Sequence, residues 1–224
     1  MSEETSKKIP IQGRELSVSE HQPVDWFEEL YAGADRGGEG IPWASMKTHA
    51  SFAEWLGRHT LAGAGKTALV VGCGMGDDAV ELESLGFDVT AFDVSKSAIR
   101  FCKERFEQSK VEFVAADLFT PPAQWSRKFD FVLEIYTVQA LPPRYEDTAI
   151  ERIASFVAPG GRLLVVAEVG EGPRSFDKGP PWLLTPQHVD AFAAHGLSVE
   201  ERHVAERDER GMAHFVTTFR RDEG

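Results

Sequence analysis

Apolar and polar positions along this chain change period in a regular way. Short apolar runs recur at Thr67–Val71, Asp88–Val94, Val111–Ala116, Phe129–Ile135 and Arg162–Glu168. Runs of this length, rich in Val and Phe, suit strands buried on both faces of a parallel sheet. Between them the apolar spacing becomes helical. One helix is expected over Gly76–Leu85, stopped by Gly86. Another follows Ser95, a good N-cap, and carries Ala98, Ile99, Cys102 and Phe106. A third, near 144–157, aligns Ala149, Ile150, Ile153, Ala154 and Val157 before Pro159-Gly160-Gly161 breaks it. Thr185-Pro186 and Gly196 bracket a further helix. Two last strands, about 197–207 and 212–220, face each other across Asp208-Glu-Arg-Gly211, a hairpin signal. Strands alternating with helices and ending in an antiparallel pair predict a doubly wound, mostly parallel α/β sheet of seven strands with an antiparallel last strand.

The first sixty residues are less regular. Residues 1–20 are polar and without clear period, so loose order is expected. Val24–Tyr31 puts Phe27, Leu30 and Tyr31 on one helical face, Gly33–Gly40 interrupts, and Trp43–Leu61 predicts a second helix with Phe52, Trp55 and Leu56 inward.

Composition narrows the function. The chain has 224 residues, of which 42% are hydrophobic, enough for one α/β domain with an N-terminal extension. No apolar run is long enough to span a membrane, and no signal peptide is read at the N-terminus. Two cysteines, Cys73 and Cys102, fit a reducing cytoplasm. A net charge of −12 disfavours nucleic acid and anionic membranes, which leaves a small molecule as the expected partner of a monomer or homodimer. The seven histidines (21, 49, 59, 188, 195, 203 and 214) show no metal-ligand spacing, so no metal is expected and most should be surface or hairpin residues.

The candidate chemistry lies in Leu69-Val-Val-Gly-Cys-Gly-Met-Gly-Asp-Asp-Ala79. A strand runs into Gly72, Gly74 and Gly76, with Cys73 inside the turn, and a helix follows. Glycine lets a ligand approach the backbone, and a helix start favours nucleotide-type ligands. Asp77 stands where a dinucleotide fingerprint needs its third glycine. Asp93 closes the next strand, where a carboxylate can accept from ribose hydroxyls. Gly65-Lys66-Thr67 is not a P-loop, because position 60 is Thr and the segment precedes a strand.

The glycine turn with Asp93 resembles the class I S-adenosylmethionine (SAM) methyltransferases, whose Rossmann-like sheet has the same strand pattern. Pro159-Gly160-Gly161 is similar to their turn into the fifth strand. Within that class, Phe129–Tyr145, Gly179–Pro186 and Ile41-Pro-Trp43 resemble the thiopurine, thiol and halide methyltransferase group. The tellurite-resistance enzymes share the same core. The resemblance implies a helical lid over residues 1–62 on a SAM-binding domain over 63–224. It implies that Gly72, Cys73, Gly74 and Gly76 pass under the methionine part of SAM. Asp93 would accept from the ribose, Val94 would touch adenine, and Asp117 with Leu118 would meet the adenine amino group. Glu134 would meet the SAM amine or the substrate. Trp26, Trp43 and Trp182 are candidates to face the sulfonium and the acceptor. One departure stands out: the group often has an aromatic residue directly after the acid of the fourth strand, whereas here Ile135 intervenes and Tyr136 comes one later.

The expected activity is methyl transfer to a small molecule, with S-adenosylhomocysteine (SAH) as the second product. Glu134 and Tyr136 are the only proton acceptors legible in the crevice. That scarcity favours a soft nucleophile such as a thiolate or halide, which can attack without a general base. An oxygen- or nitrogen-directed enzyme, a non-catalytic SAM-binding module and a nicotinamide dehydrogenase are the alternatives.

Overall fold

A computed structural model describes residues 6–171, 174–205 and 213–223. Its main sheet is built from β3 (Thr67–Val71), β4 (Asp88–Asp93), β5 (Glu112–Ala115), β6 (Phe129–Ile135), β7 (Val157–Val169), β8 (Leu197–Ala205) and β9 (Ala213–Arg221). An N-terminal hairpin comprises β1 (Ser6–Ile11) and β2 (Arg14–Ser19). The helices are α1 (Asp25–Ala32), α2 (Ala50–Arg58), α3 (Asp77–Ser84), α4 (Lys96–Arg105), α5 (Glu146–Ser155) and α6 (Pro186–Asp190).

The strand order is β5-β4-β3-β6-β7-β9-β8, with β9 antiparallel between β7 and β8. The seven-stranded doubly wound fold is therefore present. Chain order reverses between β3 and β6, and the crevice of such a sheet opens beyond the carboxyl ends of its strands at that switch point. The period-two geometry of β7 divides the core. Leu163, Val165 and Ala167 pack with Ile150, Ile153 and Phe192 on one face. Leu164 and Val166 pack with Phe52, Trp55, Leu82 and Ile99 on the other.

Four local expectations change. Residues 6–19 form the β1–β2 hairpin rather than a loose segment. Gln12 and Gly13 both have positive φ (49° and 76°), as a two-residue hairpin turn requires. Leu16 and Val18 are buried against Trp26, Leu30, Phe176 and Trp182, so the hairpin has its own apolar anchor. The second helix begins at Ala50, because residues 43–49 approach it as turns and the N–H of His49 is taken by Asp78 Oδ1 at 2.7 Å. Pro159-Gly160-Gly161 lies inside β7 as a bulge, since Phe129 pairs with Val157 and Phe131 with Arg162. The helix after Pro186 tightens into a 3₁₀ turn at Ala191–His195 and ends at Gly196, with φ 75°. The expected turn at Asp208–Gly211 lies outside the described residues, although β8 and β9 pair on either side of it.

Candidate functional site

The chain leaves β3 at Val71 through a left-handed Gly72, φ 59°. A Cβ there would lie 2.7 Å from Thr137 Oγ1. Gly74, φ 54°, has Tyr31 Oη 3.0 Å from where its Cβ would be, with Trp43 Nε1 at 4.0 Å. The turn is bound to the neighbouring strand end. Cys73 N–H donates to the Phe92 carbonyl (2.8 Å) and Gly74 N–H to Asp93 Oδ2 (3.0 Å). Asp93 Oδ1 accepts from Ser95 N–H at 2.9 Å. Burial pushes the Asp93 carboxyl up to about 6, against the opposing pull of these bonds. Cys102 Sγ donates to the Gly74 carbonyl at 3.2 Å, and its contact with Cys73, followed by burial, drives the Cys73 thiol upward.

Ser95 caps α4 as expected, its Oγ accepting from Ala98 N–H at 3.0 Å. The same cap is tied to α1. Glu28 accepts from Ser95 Oγ (2.7 Å), Ser97 N–H (3.1 Å) and Ser97 Oγ (2.8 Å). Burial alone would raise its carboxyl, but these donors outweigh it and hold it low. Asp77 forms a two-pronged pair with Arg105, both contacts 2.8 Å, joining the start of α3 to the end of α4. On the far side of Asp93, Asp117 makes a local turn, Oδ1 accepting from Phe119 N–H at 2.8 Å. Leu118 is buried and Val94 half-buried.

Glu134 ends β6 in register with Val71 of β3 and Val165 of β7. Its side chain is buried. Oε1 accepts from Val138 N–H at 3.1 Å, while Oε2 has no hydrogen-bond partner among the described residues. Burial pushes this carboxyl up to about 7. An uncompensated carboxylate oxygen in the interior is costly.

Tyr136 has φ 62°, with its N–H on the Val166 carbonyl at 3.1 Å. Its Oη hydrogen-bonds His214 Nδ1 at 2.8 Å, and the His49 ring stands edge-on to it at 5.0 Å. Most histidines were expected at the surface or in the hairpin; His214 does lie on β9 of that hairpin, and it gathers here with His49. Trp43, 41% exposed, donates from Nε1 to Tyr31 Oη at 2.9 Å and touches Trp26 edge-on at 6.0 Å. Trp26 and Trp182 are interior residues of the cluster that anchors the hairpin. Trp182 Nε1 is satisfied by the carbonyls of Ser175 (3.1 Å) and Phe176 (3.0 Å). Lys7 of β1 lies over the rings of Phe176 and Trp182 and donates to the Phe176 and Gly179 carbonyls.

The fold thus brings Gly72–Gly76, Asp93 and Glu134 around one end of β3, with Tyr31 and Trp43 above the turn. Sequence reasoning missed Glu28, Tyr31, His49 and His214 as members of this region. Tyr31 and Glu28 sit on a helix whose apolar spacing concealed their polar partners. Among the described residues no group of three or more His, Cys, Asp or Glu is arranged to hold a metal, and no helix is long and apolar enough to cross a membrane.

The methyltransferase domain family matches residues 68–161. The chain is 28% identical over 154 residues to a probable thiol methyltransferase 2 of Arabidopsis thaliana, across 66% of this chain and 63% of that protein. It is 28% identical over 140 residues to a fatty-acid O-methyltransferase of Mycolicibacterium smegmatis, across 59% of this chain and 50% of that protein. The chain therefore spans between half and two thirds of these relatives. Among solved structures, it is similar to a 1,6-didemethyltoxoflavin-N1-methyltransferase of Burkholderia thailandensis with bound SAH. The TM-score is 0.66 at 20% identity, covering 92% of this chain and 96% of that one, a likeness of fold. Residues 68–161, which the methyltransferase domain family matches, lie within a seven-stranded fold of the kind that solved methyltransferase shares.

Proposed function

We propose that this protein transfers the methyl group of SAM to a small molecule, a thiol or related soft nucleophile being the first choice. The observation that carries the reading is Glu134 Oε2, a buried carboxylate oxygen without a partner at the carboxyl end of β6. The SAM ammonium is the donor this atom lacks. The rest of the crevice fits the same group. The Gly72–Gly76 turn offers bare backbone, and Asp93 keeps lone pairs for ribose hydroxyls beside its two backbone donors. Val94, Asp117 and Leu118 would border the adenine, and the Trp43 face would attract the sulfonium.

When bound, SAM supplies a methyl group on a cationic sulfur that leaves as a neutral thioether. The protein's work is then binding, alignment and exclusion of water. Glu134 would hold the ammonium, Asp93 the ribose, and Tyr31 with Trp43 would close over the turn. Residues 1–62 act in this reading as a lid, joined to the main domain by the Glu28 contacts and the Lys7–Trp182 contact. The net charge of −12 supports a small acceptor over nucleic acid, and the two free cysteines agree with a reducing cytoplasm.

Sulfur as the acceptor atom is supported by the likeness to the plant thiol methyltransferase and by the three segments that resemble the thiol and halide group. The argument from scarcity of bases loses force, because His49 and His214 stand beside Tyr136. Relatives named for oxygen and nitrogen transfer keep those acceptors as the second reading. Incubation with methyl-labelled SAM and a panel of thiophenol, phenol, aniline and iodide separates them. Label transfer to thiophenol supports the first reading. Transfer only to phenol or aniline replaces it with the second, and SAM binding without transfer to any acceptor indicates a binding module.

A further inference from the structure

Tyr136, His49 and His214 form a cluster on the side of the glycine turn opposite Asp93 and Asp117. Tyr136 stands two residues beyond Glu134. His214 of β9 pairs with Glu168, near the carboxyl end of β7. His49 precedes α2, and its backbone N–H is held by Asp78 in the first turn of α3. Four elements thus converge on the same end of the sheet that carries the crevice. Asp93 and Asp117 follow β4 and β5 on one side of β3, whereas this cluster lies over β6, β7 and β9 on the other.

Two features exceed what packing requires. Tyr136 adopts a left-handed backbone, φ 62°, which costs about 1 kcal/mol for a residue with a Cβ. The phenol is fixed by His214 Nδ1 at 2.8 Å, so the strain serves a specific ring placement. His49 Nδ1 is buried and has no hydrogen-bond partner among the described residues. The Tyr136 ring stands edge-on to this imidazole, His214 lies close enough to act on it, and the Asp78 carboxylate holds its backbone N–H. None of these contacts satisfies Nδ1. Burial, and then His214, push the imidazole down to about 4, so it is neutral at physiological pH. A neutral ring adds no positive charge beside a sulfonium.

We propose that His49, Tyr136 and His214 form the subsite for the methyl acceptor, with His49 Nδ1 receiving a hydrogen bond from a thiol or phenolic hydroxyl of an uncharged small molecule. The inference rests on the SAM-methyltransferase reading above and assigns the acceptor side of that site. In this role His49 is a binding and specificity residue: it orients the attacking atom by its proton and disfavours acceptors that carry none.

The test uses the full chain loaded with SAH, which permits an unreactive ternary complex, and thiophenol or phenol as probe at a pH below the pKa of thiophenol, where both keep their proton. In protein labelled with ¹³C at the histidine Cε1, the resonance absent from H49F identifies His49. That resonance should move on adding thiophenol to the SAH-loaded wild type. H49F should lower kcat/KM for thiophenol about 10-fold or more, the loss expected for one buried hydrogen bond, and leave SAH affinity within about 2-fold. If H49F does not fold, H49L, which also lacks a side-chain acceptor, supplies the same comparison. An unmoved His49 resonance, or kcat/KM retained in the variant, overturns the inference while SAH binding upholds the site. Failure of the wild type to bind SAH overturns the site reading and this inference with it.

Discussion

The backbone N–H of Gly74 donates to Asp93 Oδ2 at 3.0 Å, a buried bond that locks the turn after β3 to the end of β4. Asp93 also satisfies Ser95 N–H, so one carboxylate organises both the glycine turn and the start of α4. D93A leaves two buried donors unpaired, and each orphan costs roughly 1–3 kcal/mol. Urea denaturation should show a loss of about 2–4 kcal/mol, with SAH binding abolished. D93A at wild-type stability would contradict this role.

Gly72 is held by shape as well as by conformation. Alanine at its φ of 59° is strained, and the new Cβ would stand 2.7 Å from Thr137 Oγ1. G72A should cost about 1–3 kcal/mol. G72A/T137A should recover the part due to the clash and retain the part due to φ. A double-mutant cycle reads the coupling directly; additive effects would place the Thr137 side chain elsewhere.

The crevice acids set the pH response. Glu134, raised to about 7 by burial, binds its proton more tightly folded than unfolded. Its stabilising contribution is complete below about 4.5, the ordinary glutamate value, and is lost as pH rises through about 7. Asp93 and Asp78, both raised to about 6, act in the same direction over a lower window. The ligand-free protein should therefore lose stability between pH 5 and pH 7, and E134Q should flatten that slope by about one proton. A cationic amine reverses the preference of Glu134. SAM binding near pH 6.5 should release a proton in the wild type and none from this group in E134Q, as calorimetry in buffers of different ionisation enthalpy will show.

The hairpin is part of the folded unit. L16A removes a buried side chain from the cluster containing Trp26 and Trp182 and should cost about 2–4 kcal/mol. Tryptophan fluorescence should shift to the red as the cluster loosens. A silent L16A would mean that β1–β2 is not anchored there.

Local pattern carried some of these features and hid others. Phe129–Ile135 was legible to the residue because a central parallel strand needs a continuous apolar run. Ser95 was legible as a cap because its chemistry is local. The alternation of Ile9, Ile11, Leu16 and Val18 about Gln12-Gly13 was a strand signal, but its meaning depended on Phe176 and Trp182, far along the chain. The start of α2 was misplaced because Asp78 of α3 takes the His49 N–H. The glycine turn, Asp93 and Glu134 followed from strand ends, where position alone puts residues beside a crevice. The meeting of His49 with Tyr136 and His214 followed from no spacing, since three distant segments supply it.

The central claim is that the crevice over β3 and β6 is a SAM site completed by Glu134. Calorimetric titration of the wild type with SAH tests it most directly, with E134Q as the comparison. The account predicts one site per chain in the wild type and an affinity at least about 10-fold weaker in E134Q, the cost of one buried charged partner. A well-folded wild type that binds neither SAH nor SAM would contradict the account.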